Sequence, residues 1–311
     1  MGHVCILLAT YQGGTFLQAQ LDSLAAQSHR DWQLVVSDDG STDETHSILG
    51  QFTAEMAATG RQVTVQDGPR TGGAANFLTL LGQAPDADWV ALSDQDDIWL
   101  EHRLTQGIAA LQDLPADRPA LYCSATIVTD IDLSNERPSR HQPKPPGFRN
   151  ALLQNIAAGN TILLNRAAMR IIRDLAPGAA KIHGTAVHDW WLYQIVTGAG
   201  GQVIYDPRPT LYYRQHGKNE VGANEGLAAA LFRFRFMLAG RLHRWTEANL
   251  KALALAEPYL TPENRQLVAE FAALRKRWLL PRLWRFSRLG LYRQSRLAQA
   301  TMWVALALGK L

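Results

Sequence analysis

The chain has 311 residues, 47% hydrophobic and 19% charged, with a net charge of +3. That length and composition allow one large domain, or one domain with an appendage, and exclude collagen-like, mucin-like and low-complexity classes. The small net charge hides a split: residues 226–311 carry 15 Lys and Arg against 4 Asp and Glu, whereas the first 225 carry 16 against 24. Such asymmetry indicates a module over 1–225 followed by a basic appendage over 226–311.

The first apolar run, HVCILLAT from His3, has no basic start and no small-residue cleavage site, so it reads as a strand and not as a signal peptide. Cys5 and Cys123, the only cysteines, lie inside apolar runs, as reduced thiols of a cytoplasmic protein would. No window holds the roughly 18 uninterrupted apolar residues of a membrane span.

In chain order, strand-like runs fall at Val4–Ala9, Leu34–Ser37, Val63–Gln66, Trp89–Ser93 and Leu121–Thr129. Helix-like patterns fall between them at Phe16–Gln27, Glu44–Met56, Asn76–Gly82 and Leu100–Leu111. This alternation indicates βαβ units and an α/β fold with a mainly parallel sheet. The early strands are followed by TYQGG, by DDGSTDE, by Asp67-Gly68 and by DQDD. Polar residues thus collect at the carboxyl edge of the sheet, where open α/β sheets bind ligands. A plainer reading exists for DDGSTDE, since Asp and Gly are ordinary turn residues and Ser41 or Thr42 fits a helix cap. It fits ALSDQDDIWL less well, because a turn needs one Asp and not Asp94, Asp96 and Asp97 together.

Residues 131–149, rich in Pro and charge, read as a long surface loop of the kind that covers sites or touches acceptors. After them come small residues at Ala157–Asn160, a strand at Thr161–Leu164, a helix from HDWWLYQIVTGAGG, the strand QVIYD and the closing stretch TLYYRQHGKNEVG.

The chemistry follows from residue types. An Asp-x-Asp pair at a strand end chelates a hard divalent cation such as Mg²⁺ or Mn²⁺, completed by substrate phosphates. There is no zinc-ligand spacing, no P-loop and no GxGxxG. Tyr11 and Asp39, on adjacent turns, suit stacking on a base and reading its edge. Asp189, set before Trp190 and Trp191, fits a desolvated general base or a plain helix N-cap. His216, among Arg214, Lys218 and Asn219, fits a third metal ligand or a structural histidine.

LLATYQGGTFLQAQLDSLAAQSHRDWQLVVSDDGSTDET, GGAANFLTLL, ALSDQDDIW, GNTILLNR, HDWWLY and YRQHGKNEVG, taken in that order, resemble a bacterial family 2 glycosyltransferase. The SDQDDIW and HDWW variants look like rhamnosyltransferases of surface polysaccharide assembly. The resemblance spans about residues 3–222 and implies a GT-A (nucleotide-diphospho-sugar transferase) fold, a mainly parallel central sheet flanked by helices, and a helical C-terminal extension. It implies an inverting, metal-dependent transferase using Mg²⁺ or Mn²⁺. The expected donor is a nucleotide-diphosphate sugar, dTDP-rhamnose by resemblance, with a UDP-hexose, galactofuranose or a non-catalytic sugar-nucleotide scaffold as alternatives. The expected acceptor is a polyprenyl-linked or saccharide hydroxyl of an O-antigen-like polysaccharide precursor. Carried over, Thr10, Tyr11, Asp39, Asn76, Asp94, Arg214 and Lys218 hold the nucleotide diphosphate. Asp94, Asp96 and His216 hold the metal, with Asp96 the direct ligand and Asp97 a supporting acid, and Asp189 is the catalytic base. Ala9 departs from the pattern, standing where some members carry Thr or Ser.

The basic stretch mixes Arg with Trp, Phe and Leu, as an interfacial helix on anionic lipid does. The expected setting is cytoplasmic and peripheral, on the inner face of the plasma membrane. A helical packing unit with a solvated basic face is the plainer alternative. Nucleic-acid binding is not indicated, since no RNA or DNA motif occurs.

Overall fold

The computed structural model describes residues 2–182, 188–217 and 241–311. The amino-terminal half runs β1 (Val4–Thr10), α1 (Leu17–Ala25), β2 (Trp32–Asp38), α2 (Thr45–Ala58), β3 (Val63–Asp67), α3 (Gly73–Gln83), β4 (Trp89–Ser93), β5 (Ile98–Trp99) and α4 (Arg103–Leu111). Then follow β6 (Ala120–Ser124), β7 (Ile127–Thr129), β8 (Arg137–Pro138), α5 (Phe148–Ala151), a 3₁₀ turn (Gly159–Thr161), β9 (Leu163–Asn165), α6 (Arg166–Ala179), α7 (His188–Gly198), β10 (Gln202–Asp206) and β11 (Leu211–Arg214). The described C-terminal helices are α8 (Arg241–Leu255), α9 (Pro262–Arg275), α10 (Leu279–Arg288) and α11 (Arg296–Ala307).

Seven strands form the main sheet in the order β10-β6-β9-β4-β1-β2-β3. β1 pairs in parallel with β2 and β4, β2 with β3, and β10 with β6, while β9 runs antiparallel between β4 and β6. The mixed α/β architecture is the expected one. All seven residues of β1 are buried, which a strand covered on both faces requires. Its side chains alternate between two cores: Val4, Ile6 and Leu8 pack with Leu17, Leu49, Phe52 and Ile108, and Cys5, Leu7 and Ala9 pack with Phe77, Leu81 and Ile172. Both cysteines are free and buried, and burial pushes the Cys5 thiol up to about 12.

Three boundaries differ from the sequence expectation. The apolar run Leu121–Thr129 is two strands, because the chain leaves the main sheet after Ser124 and β7 joins a second sheet ordered β5-β11-β7-β8. Helix α4 starts at Arg103, because the Leu100 backbone N–H donates to Thr210 O at 2.9 Å beside the β5–β11 pairing. The strand expected at Thr161–Leu164 begins at Leu163, since residues 159–161 close a 3₁₀ turn.

The second core also holds Leu253, Phe271, Leu274, Phe286 and Met302 beside Leu152, Ile172 and Trp191. The C-terminal helices therefore pack on the face of the sheet that α3, α6 and α7 cover. Hydrogen bonds tie them in. Asn150 Nδ2 donates to Tyr292 O at 3.0 Å, Lys144 Nζ to Arg293 O at 2.7 Å, and Asn264 Nδ2 to Gly198 O at 3.0 Å. Phe271→Ala would empty a fully buried position, so urea denaturation is expected to show a loss of about 3–5 kcal/mol. A change below about 1 kcal/mol would show that these helices add little to the core.

Candidate active site

β1, β2, β3 and β4 are parallel neighbours, so their carboxyl ends open onto one edge. The loop Asp94–Asp97 leaves β4 at that edge and enters β5. Asp97 is fully buried, and its Oδ2 accepts from Asn160 Nδ2 at 2.6 Å. Burial, followed by the charges of Asp94 and Asp96, pushes its carboxyl well above the usual range. Beneath the loop lies Arg103, also buried, its guanidinium 3.7 Å from the Trp99 ring centroid. Its Nη2 donates to Leu92 O at 3.0 Å and to Asn160 O at 2.5 Å. Burial pulls Arg103 down to about 9, and Asp97 and Asp94 act against that pull, so it stays cationic at neutral pH. A buried guanidinium is the positive group that steadies the acid cluster from the protein side.

On the open side, Asp96 Oδ2 lies 2.7 Å from His216 Nε2. The His216 ring stacks on Phe16, with centroids 4.9 Å apart. Arg214 lies over the same ring at 4.9 Å, and its Nε donates to Asp96 O at 3.2 Å and its Nη1 to Ile131 O at 2.5 Å. This places the Arg214 guanidinium against the acid-loop backbone. Lys218 and Asn219 lie outside the described residues.

The metal expectation contracts at this point. Among the described residues no three His, Cys, Asp or Glu side chains form a ready metal cage, so Asp94, Asp96 and His216 do not close as a trio. The convergent pair is Asp96 and His216. A carboxylate and an imidazole fit a cation that takes few protein ligands and completes its shell from a diphosphate and water.

The nucleotide-side residues are held in different ways. Thr10 Oγ1 and the Tyr11 backbone N–H both donate to Gln95 Oε1, at 2.6 and 2.9 Å, and Gln95 Nε2 donates to Tyr11 O at 3.0 Å. Gln95 thus locks the β1 loop to the acid loop and leaves the Tyr11 ring 56% exposed. The Asp39 carboxylate braces the next loop, accepting from Arg70 N at 2.6 Å and Gly72 N at 2.8 Å. Gly40 turns at φ 96°, a left-handed conformation that favours glycine, while Asp38 Oδ2 accepts from Ser41 N at 2.8 Å. Asn76, on α3, is held by Ser37 of the neighbouring strand β2. It is 1% exposed, and both ends of its amide bond Ser37, at 2.5 Å to the hydroxyl and 2.9 Å to the carbonyl. It ties α3 to β2, and its Oδ1 lies beside that of Asp39 at Gly68, each 2.9 Å from where a Cβ on Gly68 would stand.

Asp189 lies in the first turn of α7. Its Oδ1 accepts from Trp190 N at 2.6 Å and its Oδ2 from Gly159 N at 3.1 Å. The first contact is what an acid at a helix start does, and the helix N-terminus favours its charge. Burial nevertheless dominates and pushes the carboxyl up to about 6. Trp191 is fully buried, Trp190 Nε1 donates to Ala151 O at 2.6 Å, and His188 stacks on Phe77 at 4.0 Å. Burial holds the His188 imidazole down to about 3, so it is neutral. A Cβ on Gly159 would stand 2.8 Å from His188 Nε2, so this close approach requires glycine.

The turn Gly159–Thr161 gathers these parts. Gly159 holds Asp189, and the next residue, Asn160, holds Asp97. The acid loop and Asp189 are therefore tied to adjacent residues of one turn. Sequence reasoning missed Arg103, Gln95 and Asn160. The four-residue spacing of Trp99 and Arg103 on the path into α4 was a usable signal, whereas Asn160 carried none beyond its small neighbours.

The fold and this edge define a GT-A nucleotide-sugar transferase architecture. Residues 5–173 match the profile of glycosyl transferase family 2, and the chain belongs to that family. It is 26% identical over 221 residues to the dTDP-rhamnosyl transferase RfbG of Shigella flexneri, covering 70% of this chain and 74% of that one. It is 28% identical over 108 residues to the UDP-Glc:alpha-D-GlcNAc-diphosphoundecaprenol beta-1,3-glucosyltransferase WfgD of Escherichia coli, covering 35% and 40%. Among solved structures it resembles S. aureus TarS 1-349 in complex with UDP-GlcNAc, with a TM-score of 0.54 and 14% identity over 99% of this chain and 90% of that one. Against a second TarS structure the chain covers 53% of that protein's length, at a TM-score of 0.53 and 14% identity.

The Asp189 environment has a measurable sign. The folded carboxyl binds its proton near pH 6 and the unfolded one near its ordinary value of about 3.9. Between those values the folded state holds more protons, so this contribution favours folding at the acid end and is lost as pH rises through 6. Measured by urea denaturation, the stability of wild type relative to Asp189→Asn is expected to rise by about 1–3 kcal/mol as pH falls from roughly 7 to 4. A difference that does not vary with pH would show that Asp189 is not desolvated.

Proposed function

We propose that this chain is an inverting glycosyltransferase that moves a sugar from a nucleoside-diphosphate donor to an acceptor hydroxyl. One observation carries the reading: Asp189 and the Asp94–Asp97 loop are joined through the adjacent residues Gly159 and Asn160. Asp189 takes the proton of the acceptor hydroxyl while that oxygen attacks the anomeric carbon. The bond from that carbon to the diphosphate oxygen breaks on the opposite face, and the nucleoside diphosphate leaves with the electron pair. Gly159 and Trp190 orient the Asp189 carboxylate, and the buried tryptophans keep its basicity raised.

Asp96 and His216 would hold a divalent cation, Mg²⁺ or Mn²⁺, with Asp94 in the same loop as Asp96. When bound, the cation supplies positive charge to the departing diphosphate. Tyr11 offers its exposed ring to the base, Gln95 sets the Tyr11 backbone, and Asp39 shapes the loop around the nucleotide. Lys218 meets the phosphates, while Arg214 positions the acid loop. The donor is dTDP-rhamnose, supported by the likeness to RfbG. The acceptor is a polysaccharide or lipid-linked oligosaccharide precursor, supported by the diphosphoundecaprenol acceptor in the name of WfgD. Residues 1–225 form the catalytic unit and 226–311 a peripheral attachment at the cytoplasmic membrane face. Among the described residues no helix is long and apolar enough to cross a membrane.

Two variants test the reading. Asp96→Ala is expected to lower transfer by about 10²-fold or more with the melting temperature retained. Full activity in that variant, or in chelated enzyme, removes the metal role. Asp189→Asn keeps donor binding, read as a thermal shift with dTDP-rhamnose and Mn²⁺, and loses transfer by at least about 10²-fold. Wild-type kcat/KM for the acceptor is expected to rise with pH to a plateau through a midpoint near 6, and a flat profile would exclude Asp189 as base.

A further inference from the structure

We propose that the outward faces of α10 and α11 form a docking surface for an anionic lipid bilayer. The inference narrows membrane attachment to named positions and shares with the glycosyltransferase reading only the expectation of a membrane-borne acceptor. Residues 271–311 contain nine Lys or Arg and no Asp or Glu. The same segment exposes large apolar side chains: Trp278 at 66%, Leu280 at 64%, Trp284 at 57%, Leu297 at 70% and Leu308 at 52%.

Their order on the helices is regular. Leu280, Trp284 and Arg288 follow at four-residue intervals, so they form one stripe along α10. The opposite side of α10 carries Phe286, which is buried and packs edge-on against Trp303 of α11, with centroids 4.7 Å apart. On α11, Leu297, Val304 and Leu308 share one exposed stripe, while Met302, Ala305 and Leu306 face the core. Both helices therefore bury one apolar face and present a second. A solvated packing face has no need of two exposed tryptophans and three leucines.

The charges around the patch select the occupant. Arg275 Nε donates to Leu311 O and Arg282 Nη1 to Leu306 O, so these two hold the helices together. Lys276, Arg277, Arg285, Arg288 and Arg296 are exposed at its edges, with Arg288 4.4 Å from the Trp284 ring centroid. Exposed Trp and Leu ringed by cations that form no ion pair among the described residues match a surface that is apolar within and anionic at its headgroups. The patch is also anchored to the site. The turn between α10 and α11 is bonded by Asn150, and Tyr193 of α7, the helix that carries Asp189, donates to Asn150 Oδ1 at 3.0 Å. Docking by this face would fix the site relative to the bilayer.

The test is sedimentation of the full chain with sucrose-loaded vesicles. One set is phosphatidylcholine alone, and the other contains about one-third phosphatidylglycerol. Binding is expected with the anionic set only, weakened by added salt. The doubles Trp278→Ala/Trp284→Ala and Arg285→Ala/Arg288→Ala are each expected to weaken it by about tenfold or more, with melting temperatures near wild type because all four side chains are exposed. Equal binding to neutral vesicles, unchanged binding of both doubles, or preference for a single-stranded DNA competitor overturns the proposal. So does a concentration-dependent dimer that the tryptophan double abolishes, since the face would then belong to a second copy. Donor hydrolysis measured without vesicles is expected to be unchanged in both doubles. Loss of hydrolysis in wild type would strike the glycosyltransferase reading and leave the vesicle result standing.

Discussion

Three carboxylates in four residues repel one another, and burial together with that repulsion raises Asp97 well above the usual carboxyl range, while a buried guanidinium beneath the loop acts in the opposite sense. Arg103 is drawn into the interior by the Trp99 face and by the carbonyls of Leu92 and Asn160. Its charge offsets the field of Asp97 and Asp94 from below. With Asp97 turned inward onto Asn160, Asp96 is left to meet His216 at the open edge. The loop is thereby divided into an acid that supports and an acid that faces that edge.

The same Asn160 turns that local arrangement into a site. Its backbone carbonyl takes Arg103, its side chain takes Asp97, and its neighbour Gly159 donates to Asp189. A turn of three residues thus sets the spacing between the acid loop and the candidate base. Glycine is required there because the His188 ring lies where a Cβ would be. The dry wall behind Asp189, built by Trp191, His188 and Phe77, raises its basicity, and the two backbone N–H groups keep its orientation.

The C-terminal helices close one of the two cores that flank β1 and carry an outward surface of a different character. Their inner residues, among them Phe271, Phe286 and Met302, are ordinary core. The outer residues of α10 and α11 combine exposed tryptophan and leucine with arginine and no acid. On α10 the inner face buries Phe286, whereas the outer face leaves Leu280 and Trp284 exposed.

Much of this was legible in the sequence. Apolar runs alternating with helical periodicity determined the α/β class, and the polar residues after each early strand located the functional edge. The ordered stretches from TYQGG to YRQHG determined the family, and the spacing of Asp94, Asp96 and Asp97 pointed to a cation-binding loop. Tertiary structure alone decided the division of labour. Asn76 reads as a ligand residue in a linear motif, and in the fold its amide also ties it to Ser37. Arg103 looks like a surface residue on an amphipathic helix, yet it is the buried counter-charge of the acid loop. Asp189 reads in the sequence as a base or a cap, and the structure adds its bonds from Gly159 N and Trp190 N and a carboxyl raised by burial. The reason is common to all three: a side chain's role depends on its solvation and on partners 11 to 57 residues away, as in the bonds of Arg103 to Leu92 and to Asn160, which local pattern does not encode.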